Sequence, residues 1–526
     1  MAAEACPGAL ARAVLALSLA WAAPAPAQEG PLSAIDWLSQ SVQGADRLPR
    51  PLDPAVIGAV SGSPLARGAL PQSVTAEPLK AASPEGLGLL GPAKTGLPQQ
   101  LWGPGQTEAI LAMIALQTPE PLPALQQLFI TLLLAEADPP ADAGPDGALA
   151  LGRIDRLMAL GALDQVMAML QAGGDLARPD LFRRYFDAAL LTGAESRACR
   201  RMFQHSGPAP TLPARIFCLA RNGDWGGAVL TLRSAEVLGQ IGPEQAELLA
   251  RFLDPALAEE TGPLDPPAIV TPLDLRLYEA IGEPLPILGL PLAFAHSDLD
   301  ERTGWKSRLE AAERLSRAGV ISPNLLLGFF TLQKPAASGG VWDRVRAFQE
   351  FEAALGAGAP RQIGQTLPAA YGAMREVGLE VAFAELFAAR LAPLTLRGEA
   401  GDLALRLALL TADHQALSAG KRSDDPTLAF ALALSAGLGA GASPPDARAG
   451  AVAEAWNAPA LPPEIAALHA EGRTGELILT GIERVMSGVQ GQIPDLTIGL
   501  AALRLAGLEA AALRTGLQVL LLDRQR

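Results

Sequence analysis

The chain is poor in aromatic residues, at 5% of 526 positions, and poor in charge, at 18%. Sheets draw on aromatic and β-branched faces, so scarce aromatics beside abundant Ala, Leu and Gly exclude an all-β fold and point to helices packed through small side chains. No Lys/Arg run occurs, the formal charge is −14 and the pI is near 4.9, so the electrostatic footprint of a DNA or RNA binder is absent. The four histidines, His205, His296, His414 and His469, have no partner at metal-ligand spacing. A Walker loop, a Gly-x-Ser-x-Gly elbow and a Cys-x-x-Cys pair are all missing, and no metal or cofactor is expected. Gly437, Gly439 and Ala442 match a dinucleotide fingerprint in letters only, because they come after a helical segment where the fingerprint needs a strand. Beyond the first thirty residues no apolar run reaches the roughly 20 residues of a membrane span. The nearest, Leu125 to Ala135, is expected to be a buried helix.

What is present begins with an address. Arg12 precedes the apolar run Ala13 to Ala23, and Ala25-Pro26-Ala27 comes next, the order of a secretory signal peptide over residues 1–27. The mature chain, starting at Gln28, is expected in the periplasm. It keeps Cys199 and Cys218, an even pair in an oxidising compartment, with Pro208, Pro210 and Pro213 between them. A disulfide is expected, contributing about 3 kcal/mol by restricting the unfolded chain. Two separate buried thiols are the alternative.

Residues 28–105 carry Pro and Gly at short intervals, which forbids long helices. They are expected to form an arm or linker, with a short helix at Ala34–Val42 and apolar stretches at Leu87–Leu90 and Leu97–Trp102 able to dock on the body or a partner. From about Thr107, helical periodicity is interrupted roughly every 12–20 residues by Gly, Pro or Asp. The expected organisation is an N-terminal helical block over 106–254, a Pro-rich break over 255–272 and a C-terminal helical block over 273–526. A second Gly/Ala/Pro stretch lies at Gly437–Asp446.

One unit recurs: an apolar helix end, a Gly, then a second helix carrying small or apolar residues about five and nine positions on. It occurs at Gly161, Gly193, Gly223, Gly378, Gly472 and Gly507. The glycine supplies a left-handed cap, an acid soon after it suits the next helix dipole, and the small residue lets two antiparallel helices approach. Gly223, Asp224, Trp225, Ala228, Leu232 and Ala235 resemble the turn and second helix of a tetratricopeptide repeat. The chain therefore resembles the tetratricopeptide and Sel1-like α-solenoids over about 30 residues, and more loosely elsewhere. The resemblance implies an all-α, helix-turn-helix repeat solenoid behind the Pro/Gly-rich arm. The plan is also similar to the superhelix of soluble lytic transglycosylases, without the Glu-Ser and Gly-Leu-Met-Gln pattern of their catalytic domain.

His296, Asp298 and Asp300 form the best acid and imidazole cluster, and they are expected to be helix-start acids ahead of Trp305. Trp225, Trp305 and Trp342 are expected to staple turns. Ser338, Gly339, Gly340 and Trp342 make the candidate interaction loop, since solenoids present flexible tips on one face. These features lead to an expected non-catalytic periplasmic scaffold that binds another envelope protein, possible clients being a flagellar motor, a secretion system or a cell-wall synthase. The alternatives are a cell-wall enzyme or regulator using His296, Asp298 and Asp300, and a solute binder with a groove between the helical blocks.

Overall fold

The computed structural model describes residues 84–117, 122–204, 209–257, 262–437 and 443–522. The expected signal peptide, the arm through residue 83 with its expected helix Ala34–Val42, His205 and residues 438–442 lie outside the described residues. What is described belongs to one compact unit, Leu79–Arg526.

The elements are helical throughout, and among the described residues the only extended pairing is a single parallel bridge between Leu90 and Ala135. In order, the helices are α1 (Pro92–Thr95), α2 (Thr107–Leu116), α3 (Pro123–Leu134), α4 (Ala148–Ala159), α5 (Leu163–Gly173), α6 (Pro179–Leu191), α7 (Glu195–Gln204) and α8 (Leu212–Arg221). They continue as α9 (Trp225–Val237), α10 (Pro243–Leu253), α11 (Pro272–Ala280), α12 (Trp305–Arg317), α13 (Pro323–Thr331), α14 (Val341–Gly356), α15 (Pro360–Glu376) and α16 (Glu380–Leu391). The last are α17 (Glu399–Leu410), α18 (His414–Ser418), α19 (Pro426–Ser435), α20 (Ala447–Ala455), α21 (Pro463–Ala470), α22 (Thr474–Val489), α23 (Ile493–Leu505) and α24 (Glu509–Leu521). Two 3-10 segments, Pro84–Gly86 and Leu292–Leu299, complete the set. The fold is the expected all-α helical repeat, and no described helix is long and apolar enough to cross a membrane.

The punctuation explains the rhythm. Pro opens α3, α6, α10, α11, α13, α15, α19 and α21, where its missing N–H is not needed and its φ suits the first turn. Thr211, Asp224, Thr271, Ser322, Asp425 and Asp446 accept a backbone N–H from the first turn of the helix each precedes, and Thr271 with Asp274 completes a reciprocal capping box. At the other ends, all six glycines picked out in the sequence have positive φ. Gly239, Gly282, Gly319, Gly358, Gly437 and Gly491 have positive φ as well.

One continuous cluster of buried apolar side chains runs from Leu87 to Leu522, across the 255–272 break. The described part of that break is laced to its neighbours. Buried Arg251 donates to the Gly262 carbonyl (2.5 Å), Leu264 N–H donates to Glu283 (2.8 Å), and the Tyr278 hydroxyl donates to the Asp265 carbonyl (2.7 Å). The scarce rings are concentrated: Phe330, Phe348, Phe351, Phe383 and Phe387 form a contiguous group with centroids 4.9–6.0 Å apart.

The end of the Pro/Gly-rich segment, from Pro84 to Gly105, docks on its own body. Leu97, Leu101 and Trp102 are buried, and Leu89 and Leu90 donate to the Leu134 carbonyl while Glu136 donates back to that of Leu90. The buried carboxylate of Glu85 accepts the N–H groups of Leu149 (3.3 Å) and Ala150 (2.9 Å), an anion on the positive end of α4. One turn on, the fully buried Arg153 donates to the carbonyls of Leu133 (2.9 Å) and Ala135 (2.5 Å). Burial pulls its guanidinium down to about 10, against the charge of Glu85.

The first and last helices meet. Gln117 donates to the Leu479 carbonyl on α22 (3.3 Å), and the Ala124 N–H at the start of α3 donates to Gln518 on α24 (2.8 Å). Gly475 donates to the Leu101 carbonyl (2.7 Å), and its missing side chain admits the Trp102 ring, which would lie 2.4 Å from a β-carbon there. A solenoid whose repeats touch only sequence neighbours has no such contacts. Here the array closes on itself, a feature the repeat pattern does not contain.

Candidate functional site

The disulfide is formed. Cys199 on α7 and Cys218 on α8 are bonded with Cα atoms 5.0 Å apart, both fully buried. It sits beneath the Gly223 hairpin, whose geometry is set by its own residues. Gly223 at φ 89° donates to the Ala220 carbonyl, and Asp224 donates to that of Leu219, closing α8. The Asp224 side chain then accepts from Gly227 N–H (2.9 Å) and starts α9. Ala228, Leu232 and Ala235 form the single stripe that α9 buries.

Much of the rest of α9 is exposed. Trp225 is 50% exposed, Val229 43%, Leu230 69%, Val237 88% and the adjoining Leu238 68%. At 100° per residue Trp225, Val229, Leu230 and Val237 spread over roughly 140° of the helix, with the exposed Arg233 among them, so the outer face is apolar around one cation. Trp225 touches only the edge of the body, its ring 6.2 Å from that of Phe252.

The candidate loop divides in two. Ser338, Gly339 and Gly340 are exposed, both glycines with positive φ, as a flexible tip requires. Trp342 instead packs half-buried against Trp305 (centroids 5.1 Å), and Trp305 donates to the Phe329 carbonyl (2.9 Å). Both rings pack at the starts of their helices, Trp342 keeping part of its surface exposed beside the tip.

The His296 cluster is spent on structure, and its expected capping role is corrected. The 3-10 segment Leu292–Leu299 buries His296, whose Nε2–H donates to the Gly161 carbonyl (2.6 Å), and burial lowers its imidazole below the usual range. Gly304 is the cap residue of α12, with no side-chain cap. Asp300 pairs with Arg302 through Oδ1 and Oδ2 (both 2.9 Å), which pulls its carboxyl down to about 2. Asp298 is raised by burial, against Arg314. Four residues separate Asp300 from α12, room enough to close its own turn instead of capping the next helix.

A site that the sequence did not point to lies where the array closes. A cavity of about 310 Å³ is walled by the start of α3 (Gln126, Gln127), Gln165 on α5, the turn Ser316–Pro323, Glu385 on α16, and Arg514 and Gln518 on α24. Gln126 is 3% exposed, yet neither its amide nitrogen nor its amide oxygen has a hydrogen-bond partner. A buried polar group so left costs about 1–3 kcal/mol. Gln165 donates to the Val320 carbonyl (3.3 Å) while its oxygen is unpartnered. Glu385 stands at the solvent-open mouth; the protein around it raises its carboxyl and Arg514 draws it back. The one signal available was Gln126-Gln127 inside the apolar run LQQLFITLLLA: a polar pair on a helix expected to be buried needs a reason.

No family model, curated protein or solved structure matches this chain.

Proposed function

We propose that this protein is a non-catalytic scaffold or adaptor of the periplasm, a tetratricopeptide- or Sel1-like solenoid that binds another cell-envelope protein. The exposed apolar residues of α9 carry the reading. A helix that buries three residues and leaves Trp225, Val229, Leu230 and Val237 in water is built to be covered. The rigid hairpin below it, locked by the Cys199–Cys218 bridge, supports the same reading, because a preorganised surface loses less entropy on binding. The bridge and the N-terminal signal-like segment also favour an oxidising compartment. The only acid and imidazole cluster legible in the sequence is engaged in internal hydrogen bonds, which favours a binding role over turnover.

A photo-crosslinking residue at Val229 in the native cells tests the proposal. One dominant adduct is expected, lost when Leu230→Glu and Val237→Glu are added and absent with the crosslinker at exposed Arg183. Equal labelling at Val229 and Arg183, or an adduct unchanged by the two acidic substitutions, would remove α9 as the contact and the scaffold reading with it.

A further inference from the structure

We propose that the cavity at the closure of the array binds a small zwitterionic solute, a short peptide with free amino and carboxyl ends. The proposal is independent of the scaffold role and rests on what the walls offer. Glu385 and Arg514, from α16 and α24, carry opposite charges on one cavity, and neither makes a hydrogen bond or an ion pair among the described residues. They therefore stand further apart than the 4.0 Å of a direct pair. The two charges act on each other across the cavity, and a singly charged solute would meet a like charge. A molecule with an ammonium at one end and a carboxylate at the other answers both. A third charged residue, Arg317, also stands in the wall.

The uncharged wall selects among zwitterions. The Gln126 amide lies in the wall closed to water, its donor and acceptor both unpartnered, and Gln165 adds a second unpartnered acceptor. A planar group offering one acceptor and one donor is the complement of such an amide, and a peptide bond is that group. A free amino acid has the two charges but lacks the amide. At about 310 Å³ the space is at the lower end of small-ligand pockets, which suits a peptide of two or three residues. Its walls come from both ends of the helical array, so an occupant bridges the seam and links its own binding to closure.

Isothermal titration and thermal denaturation of the mature, oxidised full chain test this with L-alanyl-L-alanine, its N-acetylated and amidated counterpart, and free alanine. The dipeptide is expected to bind and to raise the melting temperature. Blocking its two ends, or shortening it to alanine, should weaken binding at least tenfold. Glu385→Gln and Arg514→Gln should each do the same to the unblocked dipeptide, while Arg183→Ala, at an exposed position outside the cavity wall, leaves binding unchanged. Equal binding of the blocked and unblocked dipeptides would overturn the zwitterion assignment on the unaltered protein, whatever the variants do to folding. Equal binding of alanine would overturn the peptide assignment, and no binding of the dipeptide at 10 mM, roughly ten-thousandfold above a micromolar dissociation constant, would overturn the site.

Discussion

Helices α9 and α22 begin alike and end in opposite circumstances. Each comes after a glycine with positive φ, Gly223 at 89° and Gly472 at 72°, and each glycine sits in the same pair of backbone hydrogen bonds closing the helix before it. From there α9 buries only Ala228, Leu232 and Ala235, whereas α22 buries residues on nearly every side, among them Glu476, Leu477, Leu479, Ile482 and Val485. The apolar content of α9 is not the cause, since Trp225, Leu230 and Val237 are as suited to a core as anything in α22. The difference lies in how many sides are packed: α22 has the adjoining α23 against Gly481 and Gly488 and the distant Trp102 over Gly475, whereas α9 packs through one stripe and its outer face meets nothing among the described residues. A local turn fixes where a helix starts and points; how fully it is buried depends on its neighbours and on what arrives from far away along the chain.

The largest test of that contrast is to remove the cover. Trp102→Ala should cost about 3–5 kcal/mol, the range for emptying a fully buried Trp site, while Trp225→Ala should cost about 1 kcal/mol or less, both measured by chemical denaturation. Similar losses would mean that α9 is packed as tightly as α22. Next in size is the support under α9: replacing Cys199 and Cys218 with Ala should lower stability by about 3 kcal/mol and expose the α8–α9 amides first in hydrogen exchange, leaving α22 protected. A third comparison isolates the shared turn. Gly223→Ala and Gly472→Ala each force a β-carbon into the left-handed region and should each cost about 1–2 kcal/mol, because neither position has a neighbour within 4 Å of that carbon. Unequal costs would show that burial reaches into the turn itself. The smallest effect is Leu230→Ser, expected to change stability by about 0.5 kcal/mol or less, since the side chain has little to lose in the free protein.

The regular part of the fold was legible because its causes are local. The six glycines, the Asp224 cap and the buried Ala228 are dictated by a few adjacent residues, and the disulfide by two cysteines on helices joined by a Pro-rich turn. The His296 segment was legible only in part, as structural rather than catalytic. Its true partner, the Gly161 carbonyl, is 135 residues away, and the cap it was expected to provide is made by Gly304. The Pro/Gly-rich segment likewise showed its capacity to dock without showing where, because docking depends on a complementary surface and not on composition. Glu385 and Arg514 were invisible as a site for the same reason: neither carries a motif, and α16 and α24 are brought to one cavity by the closure alone.

What the sequence determined by itself is the alphabet of the molecule: helices of ordinary length, turns closed by glycine, starts set by proline and short polar caps, and a core too poor in rings for sheets. Those outcomes are governed by backbone sterics and hydrogen bonds within about five residues. Tertiary structure alone decided that the ends of the array meet, that α22 is covered and α9 is not, and that two unlike charges face one cavity with a buried amide beside them. Those outcomes depend on contacts across hundreds of residues, where the free energy comes from burying complementary surfaces that no short stretch of sequence contains.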